Sequence, residues 1–271
     1  YFLMGLIMFL VGFGLVMLSS ASSVKSFREF DDVYHFVWRQ IIRGFIPGLI
    51  LFYVLSKIDY RRWERFTVLF VVMSFLFLAL VFVPGLGTEI NGSQSWISVG
   101  GITVQPAEVV KLLLILSLAG WFSYRGKEAN ADFWNGLVPF SVILGLIALL
   151  IILQPDLGTL AVVIVIAMVM YYVAGASIRH IISLLLLGLG AFGVLILQAP
   201  YRAARLTTFL HPDLDPSGAG YHINQAFLAI GSGGLFGLGF GQSRQKFAYL
   251  PEVMGDSIFA IIAEELGFII T

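Results

Sequence analysis

The chain has 271 residues, of which 59% are hydrophobic and 12% charged, and its net charge is +0. Soluble domains carry about 25% charged residues, so a soluble globular fold is excluded, and the balanced charge leaves no case for nucleic-acid binding or a polybasic lipid anchor. A cysteine count of 0 rules out disulfides, thiol catalysis and thiolate metal sites.

The apolar residues come in long uninterrupted runs, not in an amphipathic stripe. Runs near spanning length lie at about Phe2–Leu18, Phe36–Leu55, Phe66–Val83, Ala107–Phe122 and Leu137–Leu153, then at Leu157–Val173, Ile181–Leu197 and Ser257–Ile270. The pattern predicts an all-α, polytopic helical membrane protein with about eight transmembrane segments. A single membrane domain over residues 1–271 accounts for all of it. The chain opens at Tyr1 inside one run and stops at Thr271 inside another, so both ends read as cut from something longer. Ser19-Ser20-Ala21-Ser22-Ser23 faintly resembles a signal-peptidase site, but an uncleaved first span agrees better with the seven later runs.

Short basic loops stay cytoplasmic. Lys57, Arg61, Arg62 and Arg65 fall between spans two and three, Arg125 and Lys127 between four and five, and Arg179 between six and seven. The stretch Gly85–Gln105 and the turn after Gln154 have no Lys or Arg. The even connections are therefore expected inside and the odd ones outside. Lys25 and Arg28, in the expected first outer loop, run against this in company with Glu29, Asp31 and Asp32. The longest loop, 198–256, is then extracytoplasmic. Its aromatic content argues against disorder, and its apolar middle, Ile223–Ile230, suits a segment lying on or dipping into the membrane surface.

Four constellations face the expected outer side. In Gln105-Pro106-Ala107-Glu108-Val109-Val110-Lys111, Pro106 and Glu108 suit a helix start. Lys111 shares the Glu108 face inside an apolar span, so a structural ion pair and an active-site pair both stay open. Gln154-Pro155-Asp156-Leu157-Gly158-Thr159 reads as a tight turn with Asp156 as a helix cap. The series Gly231, Gly233, Gly234, Gly237, Gly239 and Gly241 lacks the strand and Gly-Lys-Ser/Thr of a nucleotide loop and reads as a compact turn with close backbone approach. Arg244 and Lys246 beside it suit either a phosphate group or lipid headgroups. Lastly, Asp256 stands in Met254-Gly255-Asp256-Ser257-Ile258 at the mouth of the last run, where a helix cap and a functional carboxylate are both open. Glu264 lies about 80° around that helix from Asp256 and Glu265 about 180°, so Glu264 is expected to line a cavity below Asp256 and Glu265 to pair elsewhere. His211, His222, Asp213 and Asp215 match no trusted metal-ligand spacing, and a loop turn is the expectation there.

Together these residues resemble the SEDS family of bacterial membrane proteins, which includes FtsW, RodA and SpoVE. The resembling motifs run in order through Asn91-Gly92…Trp96-Ile97, Gln105-Pro106-Ala107-Glu108…Lys111, Gln154-Pro155-Asp156-Leu157-Gly158-Thr159 and Arg205-Leu206-Thr207. They continue through Gly220-Tyr221…Gln225, Ala229-Ile230-Gly231-Ser232-Gly233-Gly234, Gly241-Gln242-Ser243-Arg244-Gln245-Lys246-Phe247, Leu250-Pro251-Glu252 and Glu264-Glu265-Leu266-Gly267. The Gln242–Phe247 stretch looks more like the division or sporulation branch than the elongation branch. The resemblance implies a fold of ten membrane helices in the bacterial cytoplasmic membrane, of which this chain would hold about eight. It also implies polymerisation of lipid II into glycan strands at the outer face. The family's essential aspartate falls on Asp256. Where the family often reads His-Thr-Asp-Phe, this chain reads Met254-Gly255-Asp256-Ser257, and the arginine commonly preceding the family tryptophan is Ser95 here.

The chemistry so implied needs one carboxylate base, since a lipid-linked pyrophosphate is already a competent leaving group. Asp256 is the candidate catalytic residue; Trp96, Glu108, Lys111, Arg205, Arg244, Lys246 and Glu264 are the candidate substrate-binding residues. A divalent cation such as Mg or Mn is a further candidate for offsetting pyrophosphate charge. The expected partners are lipid II, the nascent glycan strand, a class B penicillin-binding protein and other division proteins. The rival readings are a lipid II flippase and a division-complex scaffold.

Overall fold

The computed structural model describes residues 2–90, 93–99, 102–197, 204, 207–218 and 220–271. It divides into two compact units, Tyr1–Ser56 with Val194–Thr271, and Lys57–Gly193. Among the described residues five helices are long and apolar enough to cross a membrane: α1 (Phe2–Phe30), α2 (His35–Ser56), α3 (Tyr60–Leu80), α4 (Pro106–Ala131) and α5 (Phe133–Leu153). Shorter helices follow as α6 (Leu157–Val173), α7 (Ile178–Leu197), α8 (Tyr221–Gly233) and α9 (Ile258–Leu266). The protein is thus a polytopic helical membrane protein.

In the second unit, α3 to α6 pack around a core that includes Leu78, Val110, Leu114, Phe140, Ile147, Val163 and Tyr171, with Ile181 and Leu184 of α7 against it. Their other faces, including Leu112, Val142, Leu146, Leu149, Val165 and Val169, are exposed apolar surface suited to lipid. Lipid tails are as apolar as these side chains, so helix association depends on close packing. Gly120 of α4 shows it. A Cβ there would lie 2.2 Å from the Thr67 hydroxyl of α3.

The two ends of this unit are built differently. At one end, a three-stranded antiparallel sheet follows α3: β1 (Gly87–Ile90), β2 (Ser93–Val99) and β3 (Ile102–Val104). The hydropathy pattern predicts helical segments alone, and the sheet is an addition to them. Its sequence signal is the Asn-Gly pair between short alternating runs, a two-residue hairpin signature. Gln154 ties this end together, its side-chain amide donating to the Leu78 carbonyl (3.0 Å) while its own carbonyl accepts from Ser93 Oγ (2.7 Å). Asp156 caps α6, accepting from Thr159 N at 3.0 Å, and also accepts from Gln105 Nε2 at 2.8 Å.

At the other end, the Asn130 side chain donates to the carbonyls of Phe122 (3.3 Å) and Ala174 (3.1 Å), and Tyr171 donates its hydroxyl to Asn130 O (3.0 Å). Asp132 caps the first turn of α5. The amide of Asn135 donates to it at 2.7 Å, and that bond holds its carboxyl below the ordinary carboxylate range. The basic residues Arg61, Arg62, Arg65, Arg125, Lys127 and Arg179 all belong to connections or helix ends on this side. The two ends therefore differ in charge, as the distribution of basic loops along the sequence predicts.

In the first unit, α1 is 29 residues long, well beyond the apolar run ending at Leu18. The serine-rich stretch continues as helix because Ser20, Ala21, Ser22 and Ser26 turn to the protein interior. Lys25 and Arg28, expected in an outer loop, instead belong to the last turns of α1. One π-helical turn, Ile41–Phe45, interrupts α2. The expected last span, Ser257–Ile270, is also shorter than its apolar run: α9 stops at Leu266. Gly267 takes φ 75° there, and the amides of Phe268 and Ile269 donate to the carbonyls of Gly234 (2.9 Å) and Leu235 (3.2 Å). Gly237 comes so close to this end that a Cβ would lie 2.2 Å from Glu265 O.

Gly120→Ala is expected to destabilise the second unit by about 1–3 kcal/mol through overpacking, read as a lower midpoint of thermal unfolding in detergent. Adding Thr67→Ala removes the obstructing hydroxyl and should recover most of the loss.

Candidate functional site

The turn 251–257 carries Asp256 into α9. Asp256 is exposed, and Ser257, not Asp256, occupies the N-cap position of α9. Among the described residues the Asp256 carboxylate has no hydrogen-bond or ion-pair partner. The helix-cap reading therefore does not describe it, and its oxygens are open to a ligand. Met254 and Ile258, two residues to either side, stand at the edge of an apolar groove of about 660 Å³. The groove runs between α1 and α2, along Leu15, Leu18, Phe45 and Phe52, with Gln40 as its polar member.

Glu264 and Glu265, about two turns further on, are both 1% exposed. Glu264 does not line a cavity below Asp256. It accepts from Ser243 Oγ (2.5 Å), Arg244 N (2.9 Å) and Gln245 N (3.4 Å). The reason is the glycine-rich turn, which folds back onto α9 and aims the amides of Arg244 and Gln245 at this carboxylate. Glu265 is ion-paired with Lys246 (3.2 Å) and accepts from Ser20 Oγ of α1 at 2.6 and 2.8 Å. Lys246 also donates to Gly241 O at 2.6 Å and is itself buried. Lys246 does not meet phosphate or headgroups, as its sequence position suggests; its ammonium is spent on protein oxygens. Arg244, two residues earlier, is exposed, and among the described residues its guanidinium is unpartnered. Arg205 lies outside the described residues.

The second unit holds the other candidates at its sheet-bearing end. Lys111 Nζ donates to Glu108 Oε1 at 2.7 Å, with the Lys111 side chain 23% and the Glu108 side chain 58% exposed. An exposed pair of this kind contributes little stability, which leaves both groups available to a ligand. Trp96 is half-buried on β2, opposite Thr88. Ser95 beside it is 1% exposed, its hydroxyl 3.0 Å from that of Ser93. Asp156 and Gln105 are occupied with each other. Among the described residues no group of three His, Cys, Asp or Glu side chains could hold a metal ion. His222 makes a contact that sequence reasoning missed, with Ser257 Oγ at 2.5 Å; its partner is 35 residues away, and no local spacing announces it.

The profile of the FtsW, RodA and SpoVE proteins, described as "Cell cycle protein", matches residues 1–270. The chain belongs to this family. It is 46% identical to Stage V sporulation protein E of Bacillus subtilis (strain 168), over 96% of this chain and 70% of that protein. It is 37% identical to a Legionella pneumophila protein named "Probable peptidoglycan glycosyltransferase FtsW", over 98% of this chain and 67% of that protein. Among solved structures it resembles the rod shape determining protein RodA of Thermus thermophilus, with a TM-score of 0.63 and 29% identity over 98% of this chain and 67% of that one. It also resembles a chain described under "Structural coordination of polymerization and crosslinking by a peptidoglycan synthase complex", at TM-score 0.63 and 29% identity over 95% of this chain and 71% of that one. As an FtsW/RodA/SpoVE protein the chain thus matches its relatives through both units.

Lys246→Met strands the buried Glu265 charge and is expected to cost about 3–5 kcal/mol of stability. The double change Lys246→Met with Glu265→Leu should cost much less, as thermal unfolding of the two proteins would register.

Proposed function

We propose that this chain is a peptidoglycan glycosyltransferase that polymerises lipid II at the outer face of the cytoplasmic membrane during cell division, with Asp256 as general base. The observation carrying this is a carboxylate that is exposed and bonded to no described group, in a turn whose Met254 and Ile258 line an apolar groove. A lipid-linked sugar needs those two surfaces side by side. The names of the relatives and of the peptidoglycan synthase complex support the same substrate class.

The groove between α1 and α2 takes an isoprenoid tail, entered sideways from the bilayer. Asp256 accepts the proton of the 4-hydroxyl of the acceptor's N-acetylglucosamine as that oxygen attacks the donor's anomeric carbon. The bond from that carbon to the lipid pyrophosphate breaks with inversion, and the pyrophosphate carries away the electron pair. One base suffices, without the second carboxyl of a glycosidase. Arg244, in the unit that carries Asp256, is the cation proposed to meet pyrophosphate charge; in the other unit, taken by itself, Glu108 orients Lys111, and Lys111 and Trp96 stay candidates for binding substrate. A class B penicillin-binding protein would crosslink the glycan strands as they emerge. No step is routed through a divalent ion: among the described residues no three His, Cys, Asp or Glu side chains gather to hold one. The flippase reading wants charges open to a path through the membrane; of Glu108, Lys111 and Glu264, which would serve it, Glu264 is closed off by protein partners, and only the Glu108–Lys111 pair is left to that reading.

Asp256→Asn in the full-length protein, with its transpeptidase partner and lipid II, should lower glycan synthesis by about 10²–10⁴-fold. Its thermal unfolding should stay at the parent temperature, since the side chain supports nothing. Glycan chains formed at the parent rate would end the general-base assignment, and lipid II crossing vesicle membranes without polymerising would favour transport.

A further inference from the structure

The turn bearing Asp256 is under backbone strain and is held from outside. Ala248 and Glu252 take φ of 70° and 49°, the left-handed region that side chains with a Cβ resist. Glu252 O collects two amides, Gly255 N at 3.1 Å and Ser257 N at 3.2 Å, which closes the turn upon itself. Strained turns persist when neighbouring structure over-determines them, and here the first turn of α8 does so at two points. Tyr221 donates its hydroxyl to Tyr249 O at 2.8 Å, and His222 Nε2 meets Ser257 Oγ at 2.5 Å.

Proton counting fixes the sense of the second contact. Ser257 Oγ donates to Pro251 O at 2.9 Å, and a hydroxyl has one proton to give. The serine oxygen must therefore accept from His222, which carries its proton on Nε2. The chain His222 Nε2–H to Ser257 Oγ–H to Pro251 O runs across both ends of the turn. Ser257 is 2% exposed, so the relay is sheltered from water while Asp256, its neighbour in sequence, is exposed. An exposed carboxylate with no bond of its own has its position set by the backbone beneath it.

We propose that His222 is a positioning residue: acting through Ser257, it holds the 251–257 turn so that the Asp256 carboxylate is presented to the attacking sugar hydroxyl. This rests on the general-base reading of Asp256 and adds a residue from a different element to it. The requirement is for a donor at the Nε2 position, not for imidazole itself. Glutamine, whose amide reaches a similar distance, meets it; leucine does not.

The test uses the full-length protein with its transpeptidase partner, and measures initial polymerisation rates across a range of lipid II concentrations. His222→Leu and Ser257→Ala are each expected to lower kcat by about 10–100-fold with KM within about twofold, because misplacing a catalytic group by about 1 Å costs on that order. The pair combined should be no worse than either alone, and His222→Gln should restore most of kcat. Hydrogen exchange over residues 248–258 gives a readout independent of activity: faster in His222→Leu and Ser257→Ala, unchanged in His222→Gln. If His222→Leu fails to accumulate, Ser257→Ala reports the same relay. Parent-level kcat or unaltered exchange in Ser257→Ala overturns the inference. Asp256→Asn run alongside separates the two readings. If it polymerises normally, the general-base assignment fails; if it is inactive while Ser257→Ala is normal, only the positioning role falls.

Discussion

Taking a carboxylate out of water costs several kcal/mol unless charges and donors replace its hydration, and the first unit buries two in succession. Glu264 and Glu265 point into different surroundings because they are about 100° apart on the helix. One draws in the amides of Arg244 and Gln245, the other draws in Lys246 and the Ser20 hydroxyl of α1. Satisfying both requires the glycine-rich turn, α1 and the end of α9 to meet at one place. Everything mounted on α9, including the turn before it, takes its position from that meeting.

Asp256 is the counterpart of this pair at the start of the same element. It is the same chemical type placed about two turns earlier, and it has none of their partners. A carboxylate base must keep its lone pairs free until substrate arrives, whereas a structural carboxylate must have them occupied. The helix thus carries two enclosed carboxylates, and its leading turn an open one. The same turn lends Met254 and Ile258 to the apolar groove between α1 and α2.

The second unit solves a different problem. Its helices cannot rely on apolar burial to find one another in lipid, so they lock by close approach, as at Gly120, and by satisfied polar groups at both ends. Gln154 and Asp156 secure the end with the sheet; Asn130 and Tyr171 secure the basic end. The Glu108–Lys111 pair is left partly exposed by this scheme.

The spans, the charge difference between the ends of the second unit and the close approach of the glycine series were legible in the sequence, because each follows from local rules. A membrane demands runs of apolar residues, basic loops cluster on one side, and repeated glycine permits close backbone contact. The motif order carried the family. What the sequence could not decide was which charged residues are enclosed by protein and which stay exposed. Lys246, Arg244, Glu264 and Asp256 look alike in a string of letters, but Ser20 and Glu265 lie 245 positions apart, and His222 and Ser257 lie 35 apart. Hydrogen bonds over such separations are set by how helices pack, so only the tertiary structure could tell the buried Lys246 from the exposed Arg244, or the enclosed Glu264 from the open Asp256.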